Sequence, residues 1–447
     1  MNKLFVSMQC MSVITFSQKD IYECLFDKKE DKRYLDSSIR KFISLNKPVL
    51  DFLDLKITCE GTGGNFSMTI ESGRFVGSVP IKMPYDGIAH KDLRVIPRYA
   101  NTNMAYTRLT DLLGVLEFSV KPVYMDNTPL NLPEQLKPPM YIESVKYIQL
   151  FEKSNREKWL KFASENKIYS FPKASTQWQK YSVDSADPIK ALRYPTHDNV
   201  LSQNHTEWQQ LIYAFRIACE DIKSSSTPTS IKYKYKDLIT RLERELTNIP
   251  QKECDSVNVH LSDPAIIKQT KAQANVILRK NTDCCMAWRI DIAELFERYV
   301  QYVLGLVAKE SAGICYSNHK ITGKGFIPSW GLKYLEPDAV VRIGDMLVFC
   351  DAKYKSHFLN TDSDSEELKN SHRHDLHQLL AYCSFSPSKN KLGILCYPIE
   401  NYRKPSVISY YDNIASCTNQ IAIVGLPFDS AKIQEAKDIL KKIIHSQ

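Results

Sequence analysis

No stretch of about 18 or more consecutive apolar residues occurs in this 447-residue chain, so no membrane span and no membrane partner is expected. The 12 cysteines include no Cys-x-x-Cys pair and no Cys/His cluster at zinc-finger spacing, which argues against a structural zinc or a disulfide framework. Reduced, mostly packed thiols in a cytoplasmic protein fit best. A Gly-Lys-Ser/Thr signature is also missing. Glu60-Gly61-Thr62-Gly63-Gly64-Asn65 therefore reads as a turn rather than a phosphate loop, and the chain has no nucleotide site of its own. Any nucleotide hydrolysis must come from a partner. Nor is there a large excess of one charge: 59 basic residues are offset by 51 acidic ones, leaving +8, which permits nucleic-acid binding without demanding it. Met1 to Phe16 has the lysine of a secretory leader, but Gln9 and the serines interrupt its apolar run and no small-residue cleavage site follows. An ordinary strand or helix is expected there.

What is present divides into three segments, since 447 residues exceed one ordinary domain. Residues 1–139 read as a mixed N-terminal domain suited to partner or DNA binding, with strand-like pieces at Phe66–Ile70, Phe75–Val79 and Leu116–Val120. Pro122, Pro129, Pro133, Pro138 and Pro139 crowd its end, too many for a regular element, and mark a boundary. Residues 140–280 read as mainly helical. Ile142–Ala163 has helical spacing, Trp208, Leu211, Ile212, Phe215 and Cys219 mark one buried face, and Pro264–Lys280 is a further helix. Phe171–Ser202 reads as a polar loop and Ser224–Ser230 as a short linker. Lys232, Lys234, Lys236, Arg241 and Arg244, interleaved with Tyr233 and Tyr235, suit either a phosphate backbone or a solvated helix face.

Residues 281–447 carry the chemistry. Leu335 to Lys355 reads as a β-hairpin: apolar residues dominate Ala339–Ile343 and Met346–Cys350, with Gly344-Asp345 as the turn between them. A tight hairpin brings its two ends together, so Asp338 returns to Asp351 and Lys353. Alternation puts Asp351 and Lys353 on one face. Two carboxylates and an ammonium then converge, as suits a hard cation beside a phosphate. Magnesium is the expected ion, and Lys353 would orient or help deprotonate water, or offset transition-state charge.

The flanking segments supply further candidates. Met286–Lys309 reads as a helix with Ile292, Phe296, Tyr299, Val303 and Leu306 on its apolar face and Glu294 and Glu297 as surface neighbours. Asn360–Asp375 reads as a mobile polar loop, so Asp362, Asp364, Glu366 and Glu367 are expected to be solvated, and His372, His374 and His377 fit no zinc site. A helix then places Gln378 and Tyr382 on one face, where amide and phenol can meet water or a DNA phosphate. Gly393–Tyr397 completes a mixed sheet flanked by helices, and Ile421–Val424 is expected as an edge strand.

Pro337-Asp338 and Asp351-Ala352-Lys353 resemble the motif of the PD-(D/E)xK nuclease superfamily. Leu295–Val300, Asp351–Lys355, His377–Tyr382 and Gly393–Pro398 follow in the order of the McrC family, the nuclease subunits of McrBC-type restriction systems, LlaJI-like ones included. The resemblance covers roughly Asp283 to the C-terminus and little of what precedes it. It implies an α/β chain, α+β overall, with a C-terminal restriction-endonuclease-like core behind a mixed N-terminal domain and a helical region. It further implies that Asp338, Asp351, the Ala352 backbone carbonyl and Glu297 hold magnesium, with manganese as a substitute, while Lys353 assists the attacking water. Glu297 and Gln378 are second-rank catalytic members. The implied partners are double-stranded DNA and an McrB-like AAA+ GTPase hexamer whose translocation and stalling trigger cleavage. Two other readings stay open: a nuclease-fold subunit that serves as a structural, GTPase-stimulating stalk, and a self-sufficient nuclease of repair or mobile-element transfer.

Overall fold

The computed structural model describes residues 8–25, 35–61, 66–98, 105–116, 119–130, 141–224, 227–281, 286–355, 365–385, 390–413 and 417–446. The contacts divide the chain into two compact units, one of Met1–Pro138 with Cys285–Gln447, the other of Pro139–Cys284. The fold is mixed α/β.

In the unit Pro139–Cys284, the helices Tyr141–Arg156, Thr206–Lys223 and Ala265–Asn281 pack together, and Thr229–Glu245 lies against the second of them. The core is aromatic: Phe151 stacks on Trp208 and Phe215 with ring centroids 5.0 and 4.9 Å away. Trp208, Leu211, Ile212, Phe215 and Cys219 are all buried, as their spacing requires. Two expectations need correction. Helix stops at Arg156, and Lys161–Tyr169 is a strand paired in antiparallel register with Tyr194–Ser202, while Trp178–Asp184 adds a short helix. The ribbon carries Phe162 and Ile168 outward, 78% and 67% exposed, so no inside-outside alternation marked it as sheet. Along Thr229–Glu245, Tyr235 is buried and Tyr233 exposed, and Arg241 pairs with Glu152, so part of this basic pattern serves packing.

In the other unit, a five-stranded sheet has the order Met8–Gln9, Ala89–Ile96, Phe75–Lys82, Met286–Asp291, Val123–Pro129. Its fourth strand comes from the far side of the sequence, so the first and last segments of the chain fold together. Met286–Asp291 therefore opens as strand, not as the first turns of a helix; Ala287, Trp288 and Ile290 are buried between two neighbouring strands. Gly77 makes this approach possible, because a Cβ there would lie 2.0 Å from the Trp288 carbonyl oxygen. The crowded prolines hold a strand after all: Val123–Pro129 lies at the sheet edge, where missing N–H groups are tolerated. Leu116–Val120 forms no strand over its described residues; Leu116 and Val120 are buried beyond the helix Ala105–Val115. Ser67–Ser72 and Phe75–Lys82 bear out the other two strand expectations, the first pairing with Val13–Ser17 and Leu55–Glu60. Most of the Gly61–Asn65 turn lies outside the described residues.

The second sheet of this unit is mixed, in the order Ile314–Ser317, Ala339–Ile343, Met346–Ala352, Lys391–Ile399, Cys417–Pro427, Ser406–Asp412. The middle strands run parallel and both borders are antiparallel. Ile421–Val424 thus belongs to an internal strand, and the edge is Ser406–Asp412, which the chain reaches before it returns inward. Helices Ile292–Glu310 and Ile433–His445 pack on each other and on the sheet, and Glu366–Ser384 covers the other face with Leu379, Tyr382 and Cys383 against Val340, Phe349, Leu395 and Tyr397. Asn360–Asp375 is accordingly not one loop. A helix begins at Glu366 with Ser365 as its N-cap, and its first turns are polar because they lie mostly in solvent. Asp362 and Asp364 lie outside the described residues. Glu366 and Glu367 are exposed. Among the described residues, no helix is long and apolar enough to cross a membrane, and the described cysteines are free thiols.

Candidate active site

The hairpin Ala339–Ile343/Met346–Ala352 turns on Gly344, whose φ of +56° is the left-handed value a two-residue turn needs. Ala339 pairs with Cys350, so the next residues outward, Asp338 and Asp351, face each other across the strands. Alternation then divides the segment after Cys350. Asp351, Lys353 and Lys355 point toward the helix Glu366–Ser384, whereas Tyr354 turns back among Phe296 and Phe428, with ring centroids 6.0 Å from each, and accepts the Arg98 N–H. Tyr354 is thus an anchor that aims its charged neighbours.

The Ala352 N–H donates to Asp338 Oδ2 at 2.6 Å. Lys353 Nζ lies 2.7 Å from Asp351 Oδ2, as an ion pair out of line for a hydrogen bond, and that buried oxygen has no hydrogen-bond partner. Lys353 Nζ also donates to Gln378 Oε1 at 3.3 Å, and Gln378 Nε2 donates to the Tyr382 hydroxyl at 2.7 Å. Burial, then the neighbouring Asp351 charge, pushes the Asp338 carboxyl up to about 8. Asp351 is likewise raised, chiefly by burial. Burial draws Lys353 down, but Asp351, Asp338 and Asp375 outweigh it and hold the ammonium protonated. Such a site costs free energy unless positive charge arrives. Two buried carboxylates, one oxygen of which is met only by the Lys353 ammonium, fit a hard divalent cation that retains several waters and takes its remaining oxygens from a phosphate.

Residues 188–398, which hold every one of these side chains, match the family model described as McrBC 5-methylcytosine restriction system component. Over that stretch the chain is similar to the McrBC family. Among solved structures, the chain is similar to a chain in a half-complex of Thermococcus gammatolerans McrB AAA+ hexamers with bound McrC, at 14% identity and a TM-score of 0.45 over 98% of this chain and 100% of that one. A second similarity is to the Thermococcus gammatolerans McrBC complex, at 13% identity and a TM-score of 0.26 over 68% and 88%. No curated protein matches.

Glu297 stands one hydrogen-bonded layer from the pair. Its Oε1 accepts from Gln301 and Asn318, both at 3.1 Å, and Gln301 in turn donates to the Asp338 carbonyl at 2.8 Å. Among the described residues, no group of three or more His, Cys, Asp or Glu side chains is placed to hold a metal. That includes His372, His374 and His377; the first two lie on the helix Glu366–Ser384 rather than in the expected surface loop.

Sequence reasoning missed Asp375. It is 1% exposed, and its two oxygens meet Lys355 Nζ at 2.7 and 2.8 Å while Tyr397 donates to it at 3.2 Å. Ser371, Asp375, Gln378 and Tyr382, spaced four, three and four apart, form one helix face that receives both lysines of Asp-Ala-Lys-Tyr-Lys. That spacing was the available signal. Asp375→Ala should lower unfolding stability by about 2–3 kcal/mol, below the ~3–5 kcal/mol of a fully enclosed pair because Lys355 keeps 30% of its surface. Urea melts of the whole chain check it; a loss under about 0.5 kcal/mol, the usual range for a surface change, would remove the pair from the site's support.

Proposed function

We propose that this chain is the DNA endonuclease subunit of an McrBC-like restriction system that defends against phage and other foreign DNA, with a PD-(D/E)xK core that hydrolyses phosphodiesters in magnesium. The convergence of Asp338, Asp351 and Lys353 at the open end of one hairpin carries the reading. Asp338 and Asp351 supply carboxylate oxygens to the ion, the Ala352 carbonyl a further one, and manganese substitutes. A divalent ion held there lowers the pKa of water and neutralises charge building on phosphorus. Lys353 stabilises that charge and orients or helps deprotonate the water. Gln378 fixes Lys353, and Tyr382 fixes Gln378. Glu297 acts through Gln301 and Asn318, which fasten the Asp338 backbone, and lends its charge to the site.

A restriction-system component that lacks a P-loop needs its motor from another chain. We assign that part to an McrB-like AAA+ GTPase hexamer in the cytoplasm, with double-stranded DNA as substrate. Plasmid cleavage by the purified chain in magnesium, with and without a co-purified GTPase and GTP, tests the assignment. Cleavage should require both. Equal cleavage without the partner would make the chain a self-sufficient nuclease, and a stable complex with GTP turnover but no cleavage would make it a structural subunit.

A further inference from the structure

Between the strands Ile314–Ser317 and Ala339–Ile343, the chain makes a second, smaller hairpin. Ile321 pairs with Leu335 and Thr322 with Tyr334, and Gly323 N–H donates to the Lys333 carbonyl at 3.0 Å. Both legs are rooted at the candidate active site. Ile321 and Leu335 pack on the core cluster beneath the Asp338 and Asp351 strands, and the Tyr382 hydroxyl donates to the Glu336 carbonyl at 3.3 Å. Asn318 N–H donates to the Asp338 carbonyl at 3.0 Å. Leu335 and Asp338 are three positions apart, a reach of at most ~10 Å along an extended chain.

The tip is built, not slack. Ile327 and Pro328 are half-buried, Gly331 N–H donates to the Pro328 carbonyl at 2.8 Å, and Gly325 takes a φ of +97°. Two aromatic side chains stand out from it: Phe326 is 96% exposed and Trp330 86%. Residues 320–334 contain Lys320, Lys324 and Lys333 and no acidic residue. Lys320 Nζ sits 4.5 Å over the Tyr334 ring, while Lys324 and Lys333 are exposed. Exposed aromatics among uncompensated lysines, fastened to a phosphodiesterase site, are the chemistry of a nucleic-acid contact: lysines meet phosphates, and aromatic planes stack on bases at an opened step.

We propose that the Lys320–Tyr334 hairpin grips DNA beside the scissile phosphate, Phe326 and Trp330 stacking on bases of a locally opened step while Lys324 and Lys333 hold the backbone. The inference rests on the nuclease reading, and binding separates the two. The test uses the full chain carrying Asp351→Asn, with a duplex containing a fluorescent adenine analogue, read by anisotropy and by brightening on unstacking. Phe326→Ala with Trp330→Ala should weaken binding about tenfold or more and abolish the brightening, with the salt dependence unchanged and Trp330→Tyr largely restoring both. Lys324→Ala with Lys333→Ala should lower the slope of log affinity against log salt by about two. All these side chains are on the surface, so thermal midpoints should match the parent. Affinity within about twofold for the aromatic double variant would overturn the proposal. So would intact DNA binding with loss of the GTPase partner, which would make the hairpin a protein-docking element. Failure of the unmutated chain to cut DNA with the GTPase partner and GTP present would overturn the nuclease reading and leave this binding result standing.

Discussion

Asp351→Asn should reduce magnesium-dependent plasmid cleavage by about a thousandfold or more while leaving a folded chain. The reasoning runs from the position outward. Asp351 is 1% exposed, and its Oδ2 has no hydrogen bond to lose. Asparagine keeps the volume and removes the charge, so the hairpin register, set by backbone pairs from Ala339–Cys350 to Ile343–Met346, stays intact. What disappears is one of two carboxylates available to the ion and the counter-charge of Lys353, whose Nζ lies 2.7 Å away. Asp338 and Asp375 remain near enough to hold the lysine protonated, so the fold does not inherit an isolated buried cation. Several kcal/mol of transition-state stabilisation are at stake, because an ion at such a site acts on water and phosphate together. Initial rates of supercoil loss, with circular dichroism of both proteins, decide it. A variant that cuts within tenfold of the parent would show that the chemistry does not run through Asp351.

The hairpin was legible in the sequence for a physical reason. Two short apolar strands joined by Gly-Asp can pair in only one tight register, and that register fixes which side chains share a face. The same logic failed wherever neighbours came from far along the chain. Met286–Asp291 looked like the start of the helix that follows it, since burial on both sides erases the alternation that distinguishes a strand, and its partners lie some two hundred residues earlier. Lys161–Tyr169 failed for the opposite reason, an apolar side facing solvent. Asp375 was lost because a polar run was read as loop. A mixed sheet was anticipated, but its six strands and the order of its last two were not, since the chain visits the edge at Ser406–Asp412 before the interior at Cys417–Pro427. Side-chain roles were read from local spacing, and long-range pairing had to be seen.

Magnesium affinity should climb about tenfold per pH unit from pH 6 to about 7 and level off above about 9, with proton release falling from about one per ion at pH 6 through about half near pH 8 to none above about pH 9. The cause lies in the buried pair. Burial and the facing Asp351 raise Asp338 to about 8, so at neutral pH the metal-free site carries a proton that the ion must displace. A folded-state pKa raised above the unfolded value means that the native chain holds this proton more tightly. Its contribution to stability is therefore full below the unfolded pKa near ~4 and is lost as pH rises toward 8. Magnesium acts in the opposite sense, since it binds the ionised site, so the midpoint difference between melts with and without the ion should widen from pH 6 to pH 8. Asp351 is raised too, and the proton leaves the coupled carboxylates as a pair. Asp338→Asn should flatten the metal-free pH dependence and remove most of the magnesium shift. Calorimetric titrations in two buffers of different ionisation enthalpy count the protons directly. A flat affinity across pH 6 to 8, with no proton released, would mean that the ion does not enter between these two carboxylates, and the site would have to be sought elsewhere on the sheet.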